Sequence, residues 1–287
     1  MSIIYEPSGM AREYSPYACN LYMGCSHYCK YCYAPRVLQR KNENYFGIPS
    51  PRNNVLRYLE KDLQARSYEK QILLSFVGDV YSQTTDDSQT TRAALELLNK
   101  YKAPVAVLSK GGKKMLRDLD VFQAFGERIM AGTTLTFMDE HKSKEWEAGA
   151  ALPQERLEVL NELRRAGIKT FASFEPVLEI PESLKLIEQT IKDDSVIHYK
   201  IGKLNNYKGL DKGKDWRDYL KEALAMLRPA GKQIYIKKCL RDVAPDIELF
   251  ADEIDPERYA PFPDLTDKQL TVIIERERWY FHESIKC

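Results

Sequence analysis

The chain has few cysteines, no long apolar segment and almost no net charge, and each absence excludes a class of protein. No stretch of its 287 residues approaches the ~18 uninterrupted apolar residues that a membrane-spanning helix requires. The first twenty residues lack the basic and then apolar pattern of a signal peptide. The 43 Lys and Arg nearly cancel the 42 Asp and Glu, so global charge does not demand a nucleic acid or an anionic membrane as partner. These absences predict a cytoplasmic protein without a membrane partner.

The six cysteines are too unevenly placed for a disulfide framework. Cys19, Cys25, Cys29 and Cys32 lie within 14 positions, and no cysteine occurs between Cys32 and Cys239. Such tight spacing is typical of a metal site in a reducing compartment. The stretch GCSHYCKYCYAPR therefore predicts a metal centre that is held by closely spaced thiols.

Apolar runs alternate with amphipathic helical patterns between about residues 17 and 238. Segments such as QILLSF, APVAVLS, IKTFASF and QIYIKK are typical of buried strands, and LPQERLEVLNELRRAG is the clearest helix. Six or seven such alternations predict an α/β fold, namely a partial (β/α) TIM-type barrel of six or seven parallel strands. Residues 1–240 would form this barrel with its N-terminal cluster loop, and residues 241–287 would form a C-terminal helical extension packed on it.

Three interpretations of the cysteines remain open from the residues alone. A structural zinc site needs four ligands, so Cys19 or His27 would have to complete it, in a zinc-stabilised protein that binds nucleic acid without catalysis. An electron-transfer iron–sulfur protein would also need a fourth thiolate, presented by Cys19. A cubane cluster held by three thiolates instead leaves one iron open to a small molecule.

The motif Cys-x3-Cys-x2-Cys at Cys25, Cys29 and Cys32, just after the first predicted barrel strand, resembles that of radical S-adenosylmethionine enzymes. The resemblance implies a [4Fe-4S] cluster on these three cysteines and S-adenosylmethionine on the open iron. Reductive cleavage of this cofactor would give a 5′-deoxyadenosyl radical that abstracts hydrogen from a substrate. A reductant such as flavodoxin or ferredoxin is implied as partner.

The stretch NLYMGCSHYCKYCYAPR is most similar to the spore photoproduct lyase-like branch, and the resemblance covers roughly residues 17 to 180. It implies cofactor-binding roles for six residues: Tyr31, Gly78, Asp79, Ser109, Lys110 and Thr134. In this interpretation Gly78-Asp79 receives the amino group of the cofactor, Lys110 faces its carboxylate, and Tyr31 lies beside its adenine. Tyr31 and Tyr33 also match a tyrosine pair that relays the radical in that branch.

One departure from the branch concerns the hydrogen donor. Spore photoproduct lyase returns hydrogen from a cysteine near the end of the second strand, where this chain offers Ser75. A serine O–H bond is too strong for that role, which argues against authentic thymine-dimer repair, although this activity stays an alternative. Cys239, after a late strand, is the candidate replacement.

The later part of the chain offers signals for a substrate site. Glu175 ends the strand segment TFASFEP, where barrel strands deliver active-site residues. Basic residues flank the late strand ends and predict a phosphate-binding rim: Lys200, Lys203, Lys237, Lys238 and Arg241. A nucleic acid is therefore one candidate substrate. The sequence specifies neither the reaction outcome nor the oligomeric state.

Overall fold

The computed structural model describes residues 2–204 and 209–262, and its centre is one large sheet flanked by helices. The strands, in chain order, are β1 Ile4–Tyr5, β2 Tyr17–Cys19, β3 Tyr22–Met23, β4 Ser50–Pro51, β5 Ile72–Leu74, β6 Val105–Ser109, β7 Ile129–Thr134, β8 Lys169–Phe174, β9 His198–Ile201 and β10 Gln233–Ile236. Eight of them form the main sheet in the order β1-β2-β5-β6-β7-β8-β9-β10, and β3 pairs with β4 separately.

Seven strands of the main sheet, from β2 to β10 in this order, run parallel. The short β1 pairs antiparallel with β2, which sequence analysis missed. The α-helices are α1 Ala34–Val37, α2 Val55–Ala65, α3 Gln89–Lys100, α4 Leu119–Phe125, α5 Glu140–Trp146, α6 Pro153–Arg165, α7 Ile180–Lys192, α8 Trp216–Leu227, α9 Lys238–Arg241 and α10 Ala251–Ile254. The seven parallel strands with intervening helices confirm the predicted partial barrel.

The helix α6 shows how local sequence sets these elements. Pro153 occupies its first turn, where the missing N–H costs no hydrogen bond, and Gly167 adopts a φ of +82° just after its end. Leu157, Leu160 and Leu163 lie on one face and are 2% exposed or less. Burying each leucine stabilises the fold by about 1.5–3 kcal/mol, so this face attaches α6 to the sheet.

Apolar side chains pack on both faces of the sheet. The inner face carries a small cluster of Leu73, Ala106, Met130 and Phe171 at the barrel centre. The outer faces of the strands pack against the helices in two larger clusters. Because a parallel sheet is covered on both faces, its strands read as continuous apolar runs, which is why they could be predicted from sequence.

The segment before β2 fills the gap between the first and last parallel strands. Within the described residues the sheet is not closed by backbone pairing, since β1 and β10 form its two edges. The 3-10 helix Gly9–Glu13 lies there, and Glu13 accepts hydrogen bonds from Tyr235 Oη and Lys238 N, both at 2.7 Å. Lys200 Nζ donates to the carbonyl oxygen of Tyr14 at 3.2 Å. Side chains rather than strand pairing therefore join the two ends of the sheet.

The C-terminal extension is described only as far as residue 262. After β10 the described chain continues through the short helices α9 and α10. Residues 263–287, which are more than half of the predicted C-terminal helical extension, lie outside the described residues. The division at residue 240 stays a prediction. In the described parts of the chain, no helix has the length and apolar character needed to span a bilayer.

Candidate cofactor and substrate site

A cavity of about 620 Å³ opens at the carboxyl ends of the parallel strands. Cys25, Cys29 and Cys32 line it together. Ends of parallel strands are the usual place for ligands in α/β folds, because the loops that follow the strands converge there. The three predicted metal-binding thiols therefore share one cavity.

Backbone hydrogen bonds fix the path of the cysteine loop. Cys25 N donates to Tyr45 O at 3.2 Å, and Cys32 N donates to Cys29 O at 3.1 Å. Gly149 N donates to His27 O at 2.9 Å, and a Cβ on Gly149 would lie 1.9 Å from the carbonyl oxygen of Ser26. Glycine is thus required at position 149, because any side chain would meet the loop backbone.

The donor chemistry of this wall fits an iron–sulfur cluster. Burial raises the pKa of the Cys25, Cys29 and Cys32 thiols, that of Cys29 to about 12, so without a metal they are neutral. Thiolates are the usual ligands of iron–sulfur clusters, and metal binding displaces the thiol protons. Within residues 2–204 and 209–262, no three His, Cys, Asp or Glu side chains are close enough to share one metal ion. Cys19 is buried in β2 and does not line the cavity.

The carboxylate of Asp79 joins the cysteine loop to two strand ends. Its Oδ2 accepts from His27 Nε2 at 2.9 Å and from Lys110 N at 2.7 Å. Its Oδ1 accepts from Ser109 Oγ at 2.7 Å and from Tyr81 N at 2.8 Å. Burial would raise the pKa of Asp79, but His27 and the other donors outweigh burial and hold this pKa well below its usual range. Four predicted cofactor-binding residues thus lie together at one end of the cavity: Gly78, Asp79, Ser109 and Lys110.

Gly78 and Lys110 both line this end of the cavity. Gly78 has a φ of +95°, and a Cβ there would lie 2.9 Å from Gly24 O, so a side chain is excluded. Lys110 Nζ lies 5.6 Å from the ring centroid of Tyr31. Burial opposes the charge of Lys110, but the nearby Cys29 and Glu147 raise its pKa, so it is a cation beside the cysteines.

The hydroxyl of Tyr31 is anchored by a buried ion pair. It donates to Glu147 Oε1, which also accepts from Thr136 Oγ1 at 2.8 Å. Arg156 Nη2 donates to Glu147 Oε2 at 2.5 Å, and Arg156 Nη1 donates to Thr134 O at 2.9 Å. Although burial alone would raise it, Arg156 and other groups lower the pKa of Glu147 to about 2. Tyr31 and Thr134 both line the cavity.

The two remaining predicted residues lie in different surroundings. Tyr33 lines the cavity with its ring half-exposed, and its hydroxyl donates to Phe76 O at 2.7 Å. Cys239 lies on α9, and it is not among the described residues that line the cavity. The structure therefore brings the predicted cluster-binding and cofactor-binding residues and both tyrosines of the predicted relay to one cavity, whereas Cys239 lies outside its described wall.

A second polar cluster, Tyr14, Ser173, Glu175 and Lys237, lines the part of the cavity formed by the later strands. Tyr14 Oη lies 2.6 Å from Ser173 Oγ and donates to Glu175 Oε2 at 2.9 Å. Lys237 Nζ forms an ion pair with Glu175 and lies 4.4 Å from the ring centroid of Tyr14. Glu175 could be predicted because it lies at the end of a strand, where barrel folds place active-site residues. Tyr14 could not be predicted from local sequence, because its partners Ser173 and Glu175 are more than 150 residues away.

The predicted phosphate rim is wrong for two of its residues. Lys200 and Lys237 are 3% and 2% exposed, so they do not form an exposed rim. Lys200 lies on β9 and reaches backbone carbonyls, while the exposed Lys238 pairs with Asp242 at 2.7 Å. The physical reason is strand alternation: Tyr199 and Ile201 pack outwards against helices, so Lys200 points to the barrel interior.

Comparison with known proteins identifies relatives of this fold. The family model described as Radical SAM superfamily matches residues 19–193. An uncharacterized protein of Methanocaldococcus jannaschii is 30% identical over 162 residues, which are 56% of this chain and 60% of that protein. An uncharacterized protein of Mycobacterium tuberculosis is 24% identical over 61% of this chain and 54% of its own length. The chain thus matches less than two thirds of either protein.

Two solved structures share the overall fold. Spore photoproduct lyase complexed with dinucleoside spore photoproduct aligns with a TM-score of 0.54 at 12% identity, over 97% of this chain and 76% of that one. Streptococcus suis SuiB bound to S-adenosylmethionine aligns with a TM-score of 0.55 at 13% identity, over 81% of this chain and 53% of that one. At these identities the likeness concerns the fold.

Proposed function

Because the chain belongs to the radical SAM superfamily, we propose that it is an enzyme that cleaves S-adenosylmethionine reductively and abstracts hydrogen from a substrate in its barrel cavity. Membership of this family implies a [4Fe-4S] cluster and S-adenosylmethionine as cofactors. When bound, the two together supply a 5′-deoxyadenosyl radical. The observation that carries the proposal is the meeting of three thiols with Asp79, Ser109, Lys110 and Tyr31 in one cavity.

In this proposal Cys25, Cys29 and Cys32 hold the cluster, and no fourth cysteine lines the described cavity. Lys110, a cation beside Cys29, is placed to attract the carboxylate of the cofactor. Tyr31 offers a ring face, and its anchored hydroxyl keeps that face in one orientation. Thr134 presents a cavity-lining side chain next to it.

The substrate would occupy the part of the cavity lined by the second polar cluster. Lys237 and Glu175 neutralise each other, and Tyr14 and Ser173 add hydroxyl groups beside them. This set favours a polar group that both donates and accepts hydrogen bonds over an isolated anion. A nucleic acid is the first substrate class to test. We assign no donor role to Cys239, because it lies outside the described cavity wall.

Thymine-dimer repair with a thiol donor is not the function we propose. Ser75 lines the cavity at the end of β5, where its hydroxyl donates to Gly78 O at 3.2 Å. A hydroxyl cannot replace a thiol as hydrogen-atom donor, because its O–H bond is much stronger. A one-electron reductant of the flavodoxin or ferredoxin type completes the proposed cycle.

The proposal is tested by anaerobic reconstitution with iron and sulfide, followed by reduction with dithionite in the presence of S-adenosylmethionine. We expect a brown protein with about four irons per chain and formation of 5′-deoxyadenosine. Reactions with and without DNA, followed by mass spectrometry of deuterium transferred from labelled DNA into the nucleoside, test the substrate class. A colourless protein with one tightly bound zinc and no nucleoside product would contradict the proposal and support the zinc alternative.

A further inference from the structure

The carboxylate of Asp79 has no hydrogen-bonding capacity left for a ligand. A carboxylate offers about four lone-pair sites, and four donors occupy them at 2.7 to 2.9 Å. The Asp79 side chain is only 8% exposed. An ammonium group that arrived from the cavity would therefore have to displace a donor that is already in place.

The four donors come from three separate parts of the chain. His27 belongs to the cysteine loop, two residues after Cys25 and two residues before Cys29. Ser109 ends β6, Lys110 follows it directly, and Tyr81 lies in the segment after β5. Asp79 thus accepts hydrogen bonds from all three of these segments.

The geometry points to Asp79 as a positioning residue that holds the cysteine loop against the ends of β5 and β6 through His27, Ser109 and Lys110, rather than as a ligand of the cofactor amino group. This inference rests on the proposed function for the identity of the cofactor. It replaces the role that the Gly78-Asp79 motif suggested from sequence. The link that Asp79 makes between the cysteine loop and the ends of β5 and β6 does not depend on the cofactor, because it consists of hydrogen bonds within the chain.

His27 makes a second contact, on the side of its ring opposite to Asp79. Its Nδ1 lies 3.2 Å from Gly149 O, so the ring bridges Asp79 and the chain that follows α5. Loss of the Asp79 acceptor would leave the ring attached on one side only. The loop that carries Cys25 and Cys29 would then lose the link that His27 makes to the β5 and β6 ends.

The substitution Asp79→Asn tests this role with little change in volume. An amide has one acceptor oxygen, so its NH2 group must face either Tyr81 N–H or Lys110 N–H, and one backbone donor loses its partner. Asp118→Asn is the matched control. Asp118 is also a buried carboxylate and accepts from Tyr81 Oη at 2.9 Å, but it does not line the cavity.

The first measurement is hydrogen–deuterium exchange of the full chain before cluster reconstitution. We expect Asp79→Asn to accelerate amide exchange at least fivefold in peptides covering residues 24–32 and 109–111, and Asp118→Asn to leave these peptides unchanged. Unchanged exchange in Asp79→Asn, or equal acceleration across the whole sheet in both variants, would overturn the positioning role. This measurement does not depend on the proposed function.

The second measurement is the dissociation constant of S-adenosylmethionine for reconstituted protein, in a double-mutant cycle of Asp79→Asn and His27→Gln. If Asp79 acts through His27, each single variant weakens binding about tenfold and the double variant is no weaker than the singles. If Asp79 binds the cofactor directly, His27→Gln binds normally and the inference fails. Wild-type protein that binds no S-adenosylmethionine would instead contradict the proposed function, and the exchange data would still decide the role of Asp79.

Discussion

The Glu147 carboxylate and the Arg156 guanidinium lie 2.5 Å apart, and both side chains are almost completely withdrawn from solvent. Charges in the interior are costly unless each is paired and hydrogen-bonded. Here Thr136 and Tyr31 occupy further positions on the carboxylate, and backbone carbonyls accept from the guanidinium. The pair therefore connects α6 to the tyrosine of the cysteine motif.

Glu147→Gln should lower the free energy of unfolding by about 3–5 kcal/mol at pH 7, because it leaves the Arg156 charge buried without a carboxylate. Chemical denaturation measures this loss. Glu145→Gln is the control: Glu145 is half-exposed in its pair with Lys30, so its loss should change the free energy by less than about 1 kcal/mol. Equal effects of the two substitutions would contradict a structural role for the buried pair.

Glu147 should also make the stability of the protein depend on pH in the acidic range. The pKa of Glu147 is lowered from 4.5 to about 2 on folding, so its contribution is fully present above pH 4.5 and is lost as pH falls toward 2. The stability difference between wild type and Glu147→Gln should accordingly shrink between pH 4.5 and 2. Denaturation curves at several acidic pH values measure it, and a constant difference would contradict the shift.

Lys200 should also make stability rise with pH, but in the neutral to alkaline range. Burial and the neighbouring Lys237 lower the pKa of Lys200 from 10.5 to about 7. Between these values the unfolded chain binds a proton that the folded chain does not, so this group makes stability rise with pH, by up to about 1.4 kcal/mol per unit. Lys200→Met has no group that titrates at this position, so its stability should not show this rise. The free energy of unfolding of Lys200→Met minus that of wild type should therefore decrease from pH 7 to pH 10.

The exposed Lys238 provides the comparison for this experiment. Lys238→Met removes a charge from the surface pair with Asp242, so its stability difference from wild type should stay nearly constant over the same pH range. Parallel stability curves for wild type and Lys200→Met would show that Lys200 keeps an ordinary pKa.

The cysteines differ in their expected contribution to metal binding. Cys29→Ala should abolish most of the iron retained after reconstitution, because it removes one of three thiols in the cavity wall. Cys19→Ala should retain the wild-type iron content, since Cys19 is buried in β2 away from this wall. Loss of iron in Cys19→Ala with a stable fold would favour the electron-transfer alternative with four thiolates.

Gly149→Ala should impair cluster assembly without touching a metal ligand. The added Cβ would lie 1.9 Å from Ser26 O, so the cysteine loop has to move. We expect iron incorporation to fall by at least half, measured against Ala148→Ser at the neighbouring exposed position, which should reconstitute normally. Normal iron content in Gly149→Ala would show that the loop adapts to this contact.

The parallel strands and the cysteine loop could be predicted from sequence, whereas the charge networks could not. Runs such as VAVLS and the Cys-x3-Cys-x2-Cys spacing are local patterns that a single segment carries. The bond of Tyr31 to Glu147 joins residues 116 positions apart, and no local pattern reveals it. The phosphate-binding rim predicted to include Lys200 does not include it, because its apolar neighbours Tyr199 and Ile201 pack against helices and Lys200 therefore faces the barrel interior.

The gap that β1 and β10 leave unclosed has a consequence for how the barrel can vary. Glu13 and Tyr14 seal this gap through side-chain and carbonyl contacts, and both precede residue 19, where the family match begins. Displacing them would loosen the contact between the two ends of the sheet without breaking any backbone hydrogen bond between the parallel strands. The contacts that hold the first and last parallel strands together thus come from a short stretch outside the family match, and this stretch can differ between relatives while the matched part of the barrel is kept.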